Sequence, residues 1–175
     1  MDTITEARIY VGTYAKYNSG SLSGAWLDLI DYDTKEAFYE AIAELHKDEE
    51  DPEYMFQDWE SIPDGLVSVG WLAESIFELI AAISNLHADD QRAFYTWCSN
   101  SGKDLAKEDA DTLVGDFQDA FVGCYDSEED YAYELIEECY DLPDFAKTYF
   151  DYEKFANDLF ISDYWFENGY VFRNY

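Results

Sequence analysis

Two carboxylates placed across a cleft can share acid and base roles. The chain offers them everywhere: 40 of its 175 residues are Asp or Glu. Such abundance removes specificity, because no one pair stands out. His46 and His87 are the only histidines, and each sits in a different section without a partner. Asp126, Glu128, Asp130 and Glu137 match positions 1, 3, 5 and 12 of an EF-hand loop, but position 6 is Tyr131. The sharp turn there requires Gly, so calcium is rejected. No P-loop, GxGxxG motif or serine nucleophile elbow is present. Cys98, Cys124 and Cys139 form an odd, sparse set without CxxC spacing and read as buried thiols of a reduced, cytoplasmic protein. The residues thus predict no enzyme, no cofactor and no metal.

The remaining chemistry is charge itself. Against 40 acids stand 10 Lys and Arg, giving a formal net charge of -30 and a pI near 4.1. A basic footprint for nucleic acid is excluded, and an anionic membrane surface would repel the chain. Disorder is excluded too, because 48% of residues are hydrophobic and 19% aromatic. The aromatics read mainly as core. Met1 to Tyr10 carries Asp2 and Glu6 and no apolar h-region, so no signal peptide is expected. No apolar run approaches the ~18 residues of a membrane span.

The charge is segmented. Residues 1–60 hold 15 acids and 4 bases, residues 61–107 hold 6 and 3, and residues 108–175 hold 19 and 3. Adaptation to salt would spread acidity evenly. Polar joins at Asp48–Pro52, Ser61–Gly65 and Ser99–Gly102 divide the chain further. Three sections follow: an N-terminal α+β section, 1–60; a helical middle, 61–107; and a C-terminal α+β section, 108–175.

The elements that carry the acids are legible in outline. Arg8–Tyr14 and Gly24–Ile30 read as strands with a turn at Tyr17–Gly20, and Tyr54–Phe56 as a third strand. A helix from about Thr34 places Phe38, Ile42 and Leu45 on one face and Glu36, Glu40 and Glu44 on the other. Leu72, Ile76, Leu79, Ile80, Ile83 and Leu86 form a helical stripe, followed by a helix over Ala88–Cys98. Ala120–Tyr125 reads as a strand. A helix over 128–142 starts from a Ser127 N-cap with Glu128, Glu129 and Asp130 in its first turn. Another helix spans about Asp151–Phe160. Asn168-Gly169 between aromatic runs signals a hairpin with a type I′ turn.

The helix 128–142 is the informative one. Tyr131, Leu135, Cys139 and Leu142 form its inner stripe, with Ala132 and Ile136 beside them. Asp130, Glu134, Glu137, Glu138 and Asp141 lie on the other face, with no lysine among them. Each like-charge i,i+4 pair costs roughly 0.2–0.5 kcal/mol. Five acids over eleven helical steps give one charge per ~3.3 Å, close to the ~3.4 Å between phosphates along one DNA strand. At one charge per ~1.7 Å of duplex, the whole net charge matches about 50 Å of B-DNA.

Several segments together carry a family likeness. They are Arg8–Tyr14, Lys16–Gly20 and Gly24-Ala25-Trp26 at the start, and Tyr152–Phe160, Asp163-Tyr164 and Gly169–Phe172 at the end. On these the chain resembles the ArdA antirestriction proteins over nearly its whole length. The acidic helix Glu129–Asp141 sits where that family has its antirestriction motif. The resemblance implies an elongated α+β chain of three small domains, the outer two mixed sheet and helix and the middle one helical. It implies a homodimer joined through the last domain. It also implies a mimic of bent B-form DNA, typical of conjugative mobile elements, that fills the DNA groove of type I restriction–modification enzymes.

The expected function is therefore a non-catalytic inhibitor. Asp130, Glu134, Glu137, Glu138 and Asp141 stand in for phosphates, with Glu36, Glu40, Glu44, Asp48, Glu49, Glu50 and Asp51 as a second charge track. The apolar strand residues Phe121, Val122 and Tyr125 are the expected dimer contact within the most acidic third. Two rivals remain. One is a mimic aimed at another DNA-binding protein. The other is a carbohydrate-active enzyme with paired carboxylates and aromatic platforms, which should gather its acids around one cleft.

Overall fold

Alternation in Arg8-Ile9-Tyr10-Val11 starts the chain's first sheet: Ile9 and Val11 are fully buried while Arg8 and Tyr10 stay half-buried. A computed structural model describes residues 3–174; Met1, Asp2 and Tyr175 lie outside it. Strand β1 (Arg8–Thr13) is central in an antiparallel sheet of order β2-β1-β3, flanked by β2 (Ala25–Asp28) and β3 (Tyr54–Glu60). A bulge at Tyr10/Val11 in the β1–β3 ladder pairs Tyr10 with Asp58 and Val11 with Phe56. The extra residue, Gln57, lies across Gly12. A Cβ on Gly12 would stand 2.5 Å from Gln57 Nε2, so a larger residue there would have to displace the end of the Gln57 side chain.

The first strand ends one residue earlier than expected. The Thr13 hydroxyl accepts from Lys16 N–H and starts a short helix, α1 (Tyr14–Asn18), where the sequence predicts strand and turn. After β2, Leu29–Asp31 turns as a 3-10 helix rather than continuing the strand. Helix α2 (Lys35–Leu45) follows the expected pattern. Thr34 caps Ala37 N–H, and Phe38 and Ile42 are buried. Leu45 is only half-buried, and the deeper residue of that turn is His46.

Two minimal strands, β4 (Val67–Ser68) and β5 (Trp71–Leu72), form a hairpin, so Leu72 is a strand residue and not part of the helical stripe. Helix α3 (Ser75–Ile83) buries Ile76, Phe77, Leu79, Ile80 and Ile83. Helix α4 (Ala88–Asn100) buries Ala93, Phe94 and Trp97. Both helices pack on the 3-10 turn Ile4–Glu6. The Phe38 and Phe77 rings lie 6.0 Å apart, and Thr5 donates to Gln91 Oε1 at 2.9 Å. Residues 1–60 and 61–107 therefore share one core.

Helix α5 (Ala110–Ala120) contains the division of the chain into two compact units, one up to Gly115 and one from Asp116. In the second unit, β6 (Phe121–Cys124) is an edge strand of a sheet ordered β6-β8-β7. Helix α6 (Glu128–Cys139), capped by Ser127, packs on α8 (Tyr152–Ser162). Between them lies a short helix, α7 (Asp144–Thr148), which the sequence reading lacks. Strands β7 (Tyr164–Glu167) and β8 (Tyr170–Arg173) form the expected hairpin, with Asn168 at φ 54° and Gly169 at φ 86°. Phe172 is fully buried between Trp165, stacked at 4.1 Å, and Phe117 and Phe121. The chain is thus α+β. No helix among the described residues is long and apolar enough to cross a membrane.

Candidate partner-binding surface

Helix α6 exists because Ser127 satisfies its first turn and Tyr131, Ala132 and Ile136 bury its inner face. The cap is reciprocal: Asp130 N–H donates to Ser127 Oγ at 3.1 Å, and Ser127 Oγ donates to Asp130 Oδ2 at 2.8 Å. Asp130, Glu134 and Glu138 then recur one per turn on one outward line, all exposed.

Three details differ from the sequence expectation. The helix ends at Cys139, and Tyr140 is extended (φ -126°, ψ 127°), so Asp141 leaves the helical ladder. The ~3.3 Å spacing therefore does not describe the set; four acids span eight steps, about 12 Å. Cys139 is exposed rather than part of the inner stripe, and so is Cys124; only Cys98 is buried, which raises its thiol pKa. Finally, a lysine does reach the acidic face. Lys147 of α7 pairs with Glu137 at 2.6 Å. Tyr125 OH donates to Glu134 Oε1 at 3.0 Å, and burial together with that carboxylate pushes the phenol pKa up to about 12.

On α2, Glu36, Glu40 and Glu44 form a second one-per-turn row, all exposed. Glu44 pairs with Lys47 at 2.5 Å. Glu50 and Asp51 are exposed. Glu49 is engaged inward, while Asp48 is exposed and pairs with Lys16. Lys16 Nζ lies 3.0 Å from Asp48 Oδ1, 3.1 Å from Glu49 Oε1 and 3.1 Å from His46 Nδ1. Thr13 Oγ1 donates to Glu49 at 2.8 Å, leaving that side chain 17% exposed.

An ammonium can only donate, so His46 Nδ1 accepts and the ring proton sits on Nε2, facing Val11 O at 3.4 Å. His46, Asp48 and Glu49 bring three ligand atoms within 4.8 Å of one another, a spacing a metal could use. Lys16 already places its charge among them. The hydrogen bond to Asp48 is the main reason the Lys16 pKa is raised. Lys16 in turn lowers Asp48, and it helps Thr13 hold Glu49 low against the opposing effect of burial. In the sequence Lys16 stands out only as the start of the Lys16–Gly20 likeness segment, although the His-x-Asp-Glu run at 46–49 signals its partners.

Lys16→Met, which keeps the stem and removes the cation, should lower the melting temperature at pH 7. Carboxyls held low in the fold contribute stability above their unfolded pKa near ~4, lost as pH falls through the folded value. The gap between parent and variant should therefore narrow as melting is followed from neutral pH to below about 4. A gap that stays constant with pH would contradict this role.

In the other predicted set, Phe121, Val122 and Tyr125 are half-buried. Phe121 stacks on Phe117 at 5.3 Å and Tyr125 packs on Tyr131 at 5.0 Å, so both serve their own unit's interior. Elsewhere a cleft of about 510 Å3 opens beside Arg8, Asp28 and Glu60. In it Arg8 pairs with Glu60 at 2.7 Å and lies 4.7 Å over the Trp26 ring.

No curated protein matches the chain. The family model described as antirestriction protein (ArdA) matches residues 9–172. Nearly all of the α+β structure, including both acidic helices, falls within that match, and the family's role is inhibition of restriction. The chain belongs to the ArdA antirestriction protein family.

Proposed function

We propose that the chain is a DNA mimic that occupies the DNA-binding groove of a type I restriction–modification enzyme. The observation that carries this is the pair of exposed carboxylate rows, Glu36-Glu40-Glu44 and Asp130-Glu134-Glu138, each one acid per turn, in a chain of net charge -30. A basic groove evolved for phosphates would be satisfied by such rows without chemistry. Glu50, Asp51, Glu137 and Asp141 extend them; Asp48 and Glu49 act mainly as partners of Lys16. A glycosidase would set two carboxylates across one cleft, whereas these rows run along the exposed faces of two helices. The test is cleavage of unmethylated target DNA by a purified type I enzyme. Adding the chain should stop cleavage, and cleavage unchanged at saturating chain would refute the proposal.

The same reading includes a homodimer through the β6 edge. Edge strands offer unpaired backbone groups for a second copy. Val122 is the sharpest probe, because it lies in the bulge between Phe121 and Gly123, whereas Phe121 and Tyr125 hold up the interior. Val122→Asp should give monomers by sedimentation with native circular dichroism. A folded variant that stays dimeric would place the contact elsewhere.

A further inference from the structure

The second unit leaves large aromatic rings in water beside its acids. Phe145 and Tyr149 are 78% and 75% exposed, and Tyr133 on α6 is 53% exposed. Phe145 on α7 and Tyr149 at its C-cap stand four residues apart with ring centroids 5.1 Å apart, so they form one exposed pair. Lys147, between them in sequence, reaches to Glu137 and pins α7 beside the acidic helix. Tyr133 packs on Tyr152 at 5.1 Å next to the same Glu137. Composition predicts the aromatics mainly in the core, and these residues are not there.

We propose that this aromatic pair, set among carboxylates, docks arginine side chains of a basic protein partner, each guanidinium lying flat on a ring while its edge meets a carboxylate. The inference rests on the mimic reading and adds the specificity of that surface. Charge complementarity selects the occupant. Asp141 and Asp144 flank the patch in sequence and are exposed, as is Glu138. A second copy would bring these acids against themselves, whereas a cationic surface would neutralise them. Arginine is favoured over lysine because its planar, weakly hydrated head can stack and fork at once. The chain contains one worked instance: Arg8 lies 4.7 Å over Trp26 and forks onto Glu60 at 2.7 Å and 2.8 Å. In Phe145 and Tyr149 the acceptor half of that arrangement is displayed with no arginine of its own in the described contacts.

The consequence is a binding component that salt does not screen, on top of one that it does. The experiment titrates the full chain with octa-arginine and octa-lysine peptides over a range of salt. Octa-arginine should bind severalfold tighter, because a planar guanidinium can stack on a ring and meet a carboxylate at its edge at once, whereas an ammonium cannot. Phe145→Ala with Tyr149→Ala should erase that preference and leave the salt slope unchanged. Glu138→Gln should lower the slope and leave the preference intact. The double leucine variant, Phe145→Leu with Tyr149→Leu, keeps the apolar area and should lose the preference as well. Equal binding of the two peptides by the parent, or a preference that survives in the folded double variants, would overturn the proposal. Conversion of a dimeric parent to monomers by the double variant would also overturn it, by assigning the patch to a second copy. Because the peptides report without any restriction enzyme, a failed mimic reading and a failed arginine site give different results.

Discussion

Changing Asp130, Glu134, Glu137, Glu138 and Asp141 to their amides one at a time should alter inhibition only a few-fold each, and changing all five should weaken it far more than any single change. Exposed ion pairs are worth about 0.2–1 kcal/mol each. Five independent ones sum to about 1–5 kcal/mol, up to a thousandfold or more in affinity. The structure grades the singles. Gln at 134 still accepts from Tyr125, and Glu138 has no hydrogen bond or ion pair among the described contacts, so both should be mild. Gln at 137 strands Lys147 beside the acidic row and loosens α7, so it should be the largest single effect. Stability should barely move. Relief of two i,i+4 repulsions, 130 with 134 and 134 with 138, contributes roughly 0.2–0.5 kcal/mol each. Losing the Asp130 charge at the helix N-terminus offsets this by about 0.3–1 kcal/mol. The measurement is protection of unmodified DNA from restriction by each variant. One substitution that abolishes protection in a folded protein, with its neighbours silent, would contradict distributed charge.

Phe38→Ala should destabilise the first unit by about 3–5 kcal/mol, a large part of a typical 5–15 kcal/mol. The ring is fully buried against Tyr32, Phe56 and Phe77 at 5.3, 6.2 and 6.0 Å. Because Phe56 lies on the sheet and Phe77 on α3, the loss should be felt in both sections that share this core. Amide hydrogen exchange reads this directly. Ile9 and Val11 in β1 and Ile80 and Ile83 in α3 should lose protection by similar factors. Protection retained in α3 while β1 opens would show that 1–60 and 61–107 are energetically separate.

What the sequence makes legible here is what local pattern controls. The α2 and α6 caps at Thr34 and Ser127, the apolar stripe of α3 and the Asn168-Gly169 turn all have short-range causes, and all appear in the structure. The misses have non-local causes. The second half of β3, Gln57-Asp58-Trp59-Glu60, has little apolar alternation and becomes a strand because β1 pairs with it. The β4–β5 hairpin is two residues per strand, below any period. The sectional charge pattern places borders near 60 and 107, and charge alone carries no sign of the packing of α3 and α4 on the N-terminal turn. In the candidate surface, the exposed rows on α2 and α6 follow from spacing alone. The inward turn of Glu49 does not, because it depends on Thr13 and Lys16, over thirty residues away.

Competition between the chain and duplex DNA for a purified type I enzyme, repeated from about 50 to about 200 mM salt, tests the mimicry most directly. A mimic that replaces six to ten phosphate contacts must exclude DNA completely, and its affinity should drop steeply, by up to about 10³–10⁵ over that range if its carboxylate rows hold and release cations of their own as the phosphates of DNA do. A ternary complex of enzyme, DNA and chain, or binding that ignores salt, would contradict it.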